Sequence, residues 1–152
     1  MIALVRCDDR LIHGQTMTVV VKLNHIERII VVDNLTATNP VLKKVFETAV
    51  PASMKAGAYT VSEAVPLIEA ALANDERTLV LMKTPEVYRD LLEKVADMPL
   101  ELNVGPMSKR KDTTEVHAAA HLTASEAQAV KEAVAKGAHV YFQQIPSQPK
   151  DE

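Results

Sequence analysis

The stretch Ile2-Ala3-Leu4-Val5-Arg6-Cys7-Asp8-Asp9-Arg10-Leu11-Ile12-His13-Gly14-Gln15 begins as a short apolar strand and turns abruptly polar. An apolar helical pattern follows from Thr16 to Leu23. A strand that feeds a helix through a tight turn is the opening unit of an α/β sheet. At such a turn the first N–H groups of the helix lack intrahelical partners and face outward, which suits an anion. The run Asp8–His13 places two carboxylates, a guanidinium and an imidazole within six residues. Reversing the chain does not require that much ionisable chemistry.

Outward from this unit, strand-like and helical patterns alternate to the end of the chain. Strands are predicted over Ile2–Arg6, Arg28–Val32, Met54–Tyr59, Thr78–Met82, Leu100–Val104 and His139–Gln143. Several are continuous Val/Ile/Leu runs, as expected of strands covered on both faces of a parallel sheet. Helices are predicted near Gly14–Leu23, Pro40–Ala49, Val61–Ala73, Pro85–Lys94 and Ala124–Lys136. Asn39-Pro40 and Thr84-Pro85 each set a capping residue before a first-turn proline, while Thr60-x-x-Glu63 and Thr123-x-x-Glu126 read as capping boxes. Gly137 is a left-handed stop for the last helix. The alternation predicts an open, doubly wound, mostly parallel α/β sheet with helices on both faces. Functional loops of such a sheet lie at the carboxyl ends of its strands.

Gly105–Ala120 breaks the rhythm. It opens as a polar, basic loop and closes, over Glu115–Ala120, on a pattern that fits a short extra strand at the sheet edge. Lys109-Arg110-Lys111 within it reads as a solvated loop. The 152 residues form a single domain, 1–152, with a tail expected to fray from Ile145.

Composition narrows the function. A net charge of −3 provides no basic field, and an aromatic content of 3% provides no stacking platform, so a nucleic-acid partner is disfavoured. Cys7 is the only cysteine, so no intrachain disulfide can form and a reducing cytoplasm is the natural setting. The N-terminus becomes charged too early for a signal peptide, and no apolar run approaches the roughly 18 residues of a spanning helix. Service to a membrane process would run through docking to another protein, with no direct membrane insertion.

His13 is the candidate reactive group. A histidine near a helix start is ordinarily a surface residue, but this one sits at the carboxyl end of the first strand. Gly14 follows it, the amides of Gly14 and Gln15 face any anion on the ring, and Arg10 can offer a planar fork to a phosphate. A cation and a helix N-terminus both favour the uncharged ring, which is the nucleophilic form. Asp8 and Asp9 could orient the ring or steady Arg10. The combination suits a histidine that holds or attacks a phosphoryl group.

Rival chemistries are weaker. The arginine that a cysteine phosphatase needs after its nucleophile is replaced by His13, and the neighbouring carboxylates disfavour a Cys7 thiolate. His117 and His121 have a helical metal-binding spacing, but they fall in strand or loop, so no metal site is expected. His25 and His139 read as solvated. G-x-G-x-x-G and G-x-x-x-x-G-K-[ST] are absent, so no nucleotide cofactor is expected either.

The run Asp8–Gln15 resembles the signature of the IIB component of the mannose/fructose/sorbose class of the bacterial phosphoenolpyruvate-dependent sugar phosphotransferase system. Arg28–Asn34, Lys83-Thr84-Pro85, Asn103-Val104-Gly105 with Met107, and Gln143–Pro146 resemble later landmarks in the right order. The resemblance implies a phosphohistidine–sugar phosphotransferase. His13 would accept a phosphoryl group on Nδ1 from a phosphohistidine of the IIA protein or domain. It would then pass the group to a sugar entering through the membrane components IIC and IID. Arg10 would steady that group, Gly14 and Gln15 would supply amides, and Asp33, Asn34, Lys83 and Thr84 would line the docking face. The family fold adds one antiparallel edge strand to the parallel sheet, and no cofactor or metal is implied. The protein would be cytoplasmic and peripherally associated with the transporter. Val20 stands where the family often has tryptophan, and Pro106 where a second glycine is common. Two alternatives remain: a docking module that signals by its phosphorylation state, and a stand-alone hydrolase with His13 as nucleophile.

Overall fold

The computed structural model describes residues 1–14, 19–117, 120–143 and 150. The first half of the chain contributes β1 (Ile2–Cys7), α1 (Val21–Leu23), β2 (Arg28–Val32), α2 (Asn34–Thr38), α3 (Pro40–Thr48), β3 (Lys55–Tyr59) and α4 (Val61–Leu72). The second half contributes β4 (Thr78–Met82), α5 (Pro85–Lys94), β5 (Glu101–Val104), β6 (Thr113–His117), β7 (Ala120–Thr123), α6 (Ala124–Ala135) and β8 (His139–Phe142).

Six strands form one parallel sheet in the order β3-β2-β4-β1-β5-β8. Strand periodicity sorts their side chains onto two faces. Ile30, Val32, Val80, Met82, Val5 and Cys7 face one way, into a core closed by Ala64 and Ile68 of α4, Tyr88 and Leu91 of α5, and Ala133 of α6. Ile29, Val31, Leu79 and Leu81 face the other way, against Leu11, Ile12, Val20, Val21 and Ile26. Each fully buried aliphatic side chain contributes about 1.5–3 kcal/mol, so both faces are held. The chain leaves β1 toward β2 on one side, whereas it leaves β4 across β1 to β5 on the other. The two connections thus leave the carboxyl ends of the adjacent strands β1 and β4 in opposite directions and over opposite faces, and ligands bind at such reversals in open α/β sheets.

Both capping boxes form, at Thr60 with Glu63 and at Thr123 with Glu126. Asn39 caps α3 through its side chain. After α6, Gly137 takes φ +98° and Ala138 N–H bonds back to Ala133 O, a left-handed stop.

Two expectations need correction, one element was missed, and two expectations fall largely outside the described residues. Thr84 makes no side-chain cap bond, and α5 starts on the buried Pro85 alone. The short helix α2 went unread in the sequence. Asp33 creates it by accepting Thr36 N–H at 3.1 Å and Thr36 Oγ1–H at 2.6 Å. The strand expected over Glu115–Ala120 divides between the ends of β6 and β7. These pair antiparallel in a ribbon of their own, which is where antiparallel pairing lies among the described residues. The first helix, expected from Gly14, is continuously described only from Val19 onward, and the tail expected to fray lies outside the described residues except for Lys150. No described helix is long and apolar enough to cross a membrane.

Candidate active site

The turn after β1 is closed by its own first residue. Asp8 N–H bonds Met82 O at 2.9 Å, which extends the pairing with β4 by one residue. Asp8 O accepts Leu11 N–H at 3.0 Å, and Asp8 Oδ1 accepts Arg10 N–H at 3.0 Å. Leu11 adopts φ +57°, a left-handed conformation that costs a non-glycine residue about 1 kcal/mol or more. Burial of Leu11 and Ile12, 3% and 8% exposed, offsets that cost.

The reversal brings His13 back over the start of the turn. Its Nε2 lies 2.9 Å from Asp8 Oδ2, with His13 at 16% exposure and Asp8 fully buried. An ionised carboxylate only accepts, so in the uncharged ring this contact favours the tautomer with the proton on Nε2 and the lone pair on Nδ1.

Beneath Asp8 lies Arg6, a charged residue only 1% exposed inside β1. Its Nη2 is 3.6 Å from Asp8 Oδ2, and its Nη1 donates to Asn103 Oδ1 at 2.5 Å and to Gln143 O at 3.1 Å. Asn103 Nδ2 donates to the same carbonyl at 3.1 Å. Arg6 and Asn103 are register partners of β1 and β5, so their side chains share a face of the sheet. Burial pushes the Arg6 guanidinium below the ordinary arginine value, and the Asp8 carboxylate pulls it back up. Gly105 gives the guanidinium room, since a Cβ there would meet Arg6 Nη2 at 2.5 Å.

The two aspartates separate cleanly. Asp8 holds the imidazole, whereas Asp9 fastens the turn to the loop after β5. Asp9 Oδ2 accepts Ser108 N–H at 2.6 Å, and Asp9 N–H donates to Pro106 O at 3.2 Å. That loop is exposed from Ser108 to Asp112, as its sequence suggests, but one of its cations is tied down. Arg110 forks onto Glu126, which is 2% exposed, with Nη2 to Oε1 at 2.9 Å and Nη1 to Oε2 at 3.3 Å. It also donates to Ser108 O and His121 O. The Glu126 hydrogen bonds raise the Arg110 pKa, with burial opposing.

The other candidates are placed as follows. Arg10 is exposed on the turn. Gly14 is also exposed, and a Cβ built there would meet nothing within 4 Å. Gln15 lies outside the described residues. Asp33 caps α2, and Asn34 Oδ1 accepts Val61 N–H at 3.0 Å. Lys83 is exposed and Thr84 half-buried after β4. Since β1, β2 and β4 are parallel, Arg10, Gly14, Asp33, Asn34, Lys83 and Thr84 lie at the carboxyl edge that carries His13. Cys7 is buried with Sγ 3.7 Å from Met107 Sδ, and burial pushes its thiol well up, with Glu126 adding to the shift. His117 stacks on Phe142 with ring centroids 5.2 Å apart, and His121 Nδ1 lies 3.3 Å from Met107 O.

Sequence reasoning missed Arg6, Asn103 and Gly105 as parts of the site. The available signal was a lone charge in a strand otherwise patterned for burial. Such a charge must find a partner inside the fold.

The fold is that of sugar phosphotransferase-system domains. The IIBSor domain of the sorbose permease from Klebsiella pneumoniae superposes with a TM-score of 0.89 at 28% identity, covering 98% of this chain and 91% of that one. The sorbose-specific EIIB component of Lacticaseibacillus casei is 30% identical over 152 residues, covering 99% of this chain and 92% of that protein. The mannose-specific EIIAB component of Escherichia coli K12 is 30% identical over 149 residues, and the match spans 46% of that longer protein. The profile of the family described as PTS system sorbose subfamily IIB component matches residues 2–152, and the chain belongs to that family.

Proposed function

We propose that this protein is a single phosphocarrier domain that accepts a phosphoryl group on Nδ1 of His13 and passes it to a hexose-type sugar. The observation that carries this reading is the 2.9 Å contact between His13 Nε2 and the buried Asp8 carboxylate. It reserves one ring nitrogen for the protein and presents the other as the nucleophile.

Phosphoryl transfer between two histidines passes through a loose transition state, so placement and charge stabilisation do most of the work. The Nδ1 lone pair of His13 forms the new N–P bond while the donor's N–P bond breaks, its electron pair returning to the donor imidazole. The His13 ring, still carrying its Nε2 proton, then bears positive charge, which the Asp8 carboxylate offsets. Aspartate in a catalytic triad steadies an imidazolium by the same logic. In the second step the sugar hydroxyl oxygen forms the new O–P bond as the N–P bond breaks, the electron pair returns to Nδ1, the hydroxyl proton passes to water, and the uncharged ring is restored.

The donor in this reading is a phosphohistidine of a IIA protein or domain. The EIIAB name of the E. coli relative, which matches this chain over about half its length, supports that assignment. The acceptor sugar arrives through IIC and IID. In this reading Arg10, exposed on the same turn, steadies the incoming phosphoryl group, and the Gly14 and Gln15 amides complete its cradle. Asp33, Asn34, Lys83 and Thr84 line the docking face, and the protein works in the cytoplasm against the transporter.

Incubation with phosphorylated IIA and mapping of the label tests the reading. Acid-labile, alkali-stable phosphate at His13, absent from His13→Ala, is the expected result. Label that persists in His13→Ala overturns it.

A further inference from the structure

We propose that Arg6 is a positioning residue for the reaction at His13, aiming the Asp8 carboxylate and thereby deciding which ring nitrogen takes the phosphoryl group. This rests on the phosphocarrier reading and deepens it.

The argument starts from Asp8. A carboxylate on a single methylene can rotate, and rotation would swap the oxygen offered to the ring. Two contacts oppose it: Oδ1 holds Arg10 N–H at 3.0 Å, and Oδ2 faces Arg6 Nη2 at 3.6 Å while meeting His13 Nε2 at 2.9 Å. Arg10 N–H belongs to the turn itself and moves with it. Arg6 belongs to the sheet, where Asn103 Oδ1 and Gln143 O hold its Nη1. It links β5, and the residue just past β8, to the carboxylate that meets the imidazole.

Burial makes that link effective. Arg6 is 1% exposed and Asp8 0%, so water screens their attraction little and the pair keeps one geometry. A planar fork also differs from a point charge. Its two terminal nitrogens serve Asp8 on one side and Asn103 with Gln143 on the other, which a lysine ammonium cannot reproduce from one position. Arg6 does not contact the reacting nitrogen; it acts through Asp8.

Ring ¹⁵N NMR of His13 in the unphosphorylated protein, together with the rate and position of phosphorylation by phospho-IIA, tests the proposal. The wild type is expected to show the Nε2–H tautomer and phosphate on Nδ1. In Arg6→Lys the tautomers mix, phosphate appears on both nitrogens, and kcat/KM falls by about 10- to 100-fold, the usual effect of losing a group that orients a functional ring. Asn103→Ala keeps the charge but releases the fork, and it shifts the tautomers in the same direction by less. A folded Arg6→Lys with wild-type tautomer and phosphorylation site overturns the proposal. If Arg6→Lys does not fold, Asn103→Ala decides, and an unchanged tautomer there overturns it equally. A wild type that takes no phosphate overturns the phosphocarrier reading, while the tautomer comparison still decides the role of Arg6.

Discussion

Gly105 lies against the Arg6 guanidinium so closely that a Cβ at position 105 would stand 2.5 Å from Nη2 and 2.7 Å from Cζ. The end of β5 thus does two things for one side chain: Asn103 bonds it and Gly105 makes room for it. The backbone at 105 is not left-handed, so glycine is required by space and not by torsion. The guanidinium cannot swing aside cheaply, because Asn103, Gln143 and Asp8 hold it on other sides.

Gly105→Ala is therefore expected to destabilise the fold by about 1–3 kcal/mol, the usual cost of overpacking. It is also expected to slow transfer to His13, although residue 105 does not touch the ring. Urea denaturation measures the first effect. A double-mutant cycle with Arg6→Lys measures the second, and the loss in the double mutant should be smaller than the sum of the two single-mutant losses because both act on one guanidinium.

Asp8→Asn retains the size of the side chain but can present an N–H where His13 Nε2–H needs an acceptor. Transfer from phospho-IIA should drop by about 10²- to 10⁴-fold, in line with losing the aspartate behind a catalytic histidine. The substitution also strips Arg6 of its anionic partner inside the fold, at a cost of about 3 kcal/mol. Single-turnover kinetics and denaturant unfolding separate the two losses.

Burial and three nearby carboxylates, of Glu126, Asp8 and Asp9, hold the Cys7 thiol well above its ordinary value. A thiol reagent at neutral pH should leave the native protein unmodified and react once denaturant opens it. Rapid native labelling would contradict the buried, inert role assigned to Cys7.

Glu76 anchors the amino-terminal edge of the sheet, with Arg28 Nε on its Oε1 at 2.6 Å and Lys55 Nζ on its Oε2 at 3.4 Å. The Arg28 hydrogen bond holds its carboxyl below the ordinary value of 4.5. The folded state then binds fewer protons than the unfolded chain, so stability is full above that ordinary value and is lost as pH falls through the folded one. Unfolding followed from pH 6 downward should show a shallower acid loss in Glu76→Gln than in the wild type.

The sheet was legible in the sequence because its strands are apolar runs and its helices carry explicit starts. Arg28–Val32 and Thr78–Met82 came out with the bounds read from the sequence, and both threonine–glutamate capping boxes closed. What local pattern could not show was pairing across the chain. Asp8 and His13 were both singled out, yet their contact depends on the left-handed Leu11, a conformation that leucine does not advertise. Arg6 looked like the end of a strand because Asn103 and Gln143, which hold it, lie 97 and 137 residues away. Arg110 is exposed as its sequence suggests, but its pairing was hidden because its partner Glu126 already had an evident local job at a helix start.

The distance along the chain between Arg6 and its holders has a consequence for how the protein is made. The contact between Asp8 and His13 spans five residues and can form almost as soon as β1 and its turn are synthesised. The anchor beneath it needs β5 and then Gln143, just past the last strand of the main sheet. Non-local contacts of this kind form late, after the loop-closure entropy of the intervening chain has been overcome. A half-made or partly unfolded molecule would carry the histidine without its support. On the proposed phosphocarrier reading, competence for phosphoryl transfer would then be a property of the finished fold and not of the turn alone.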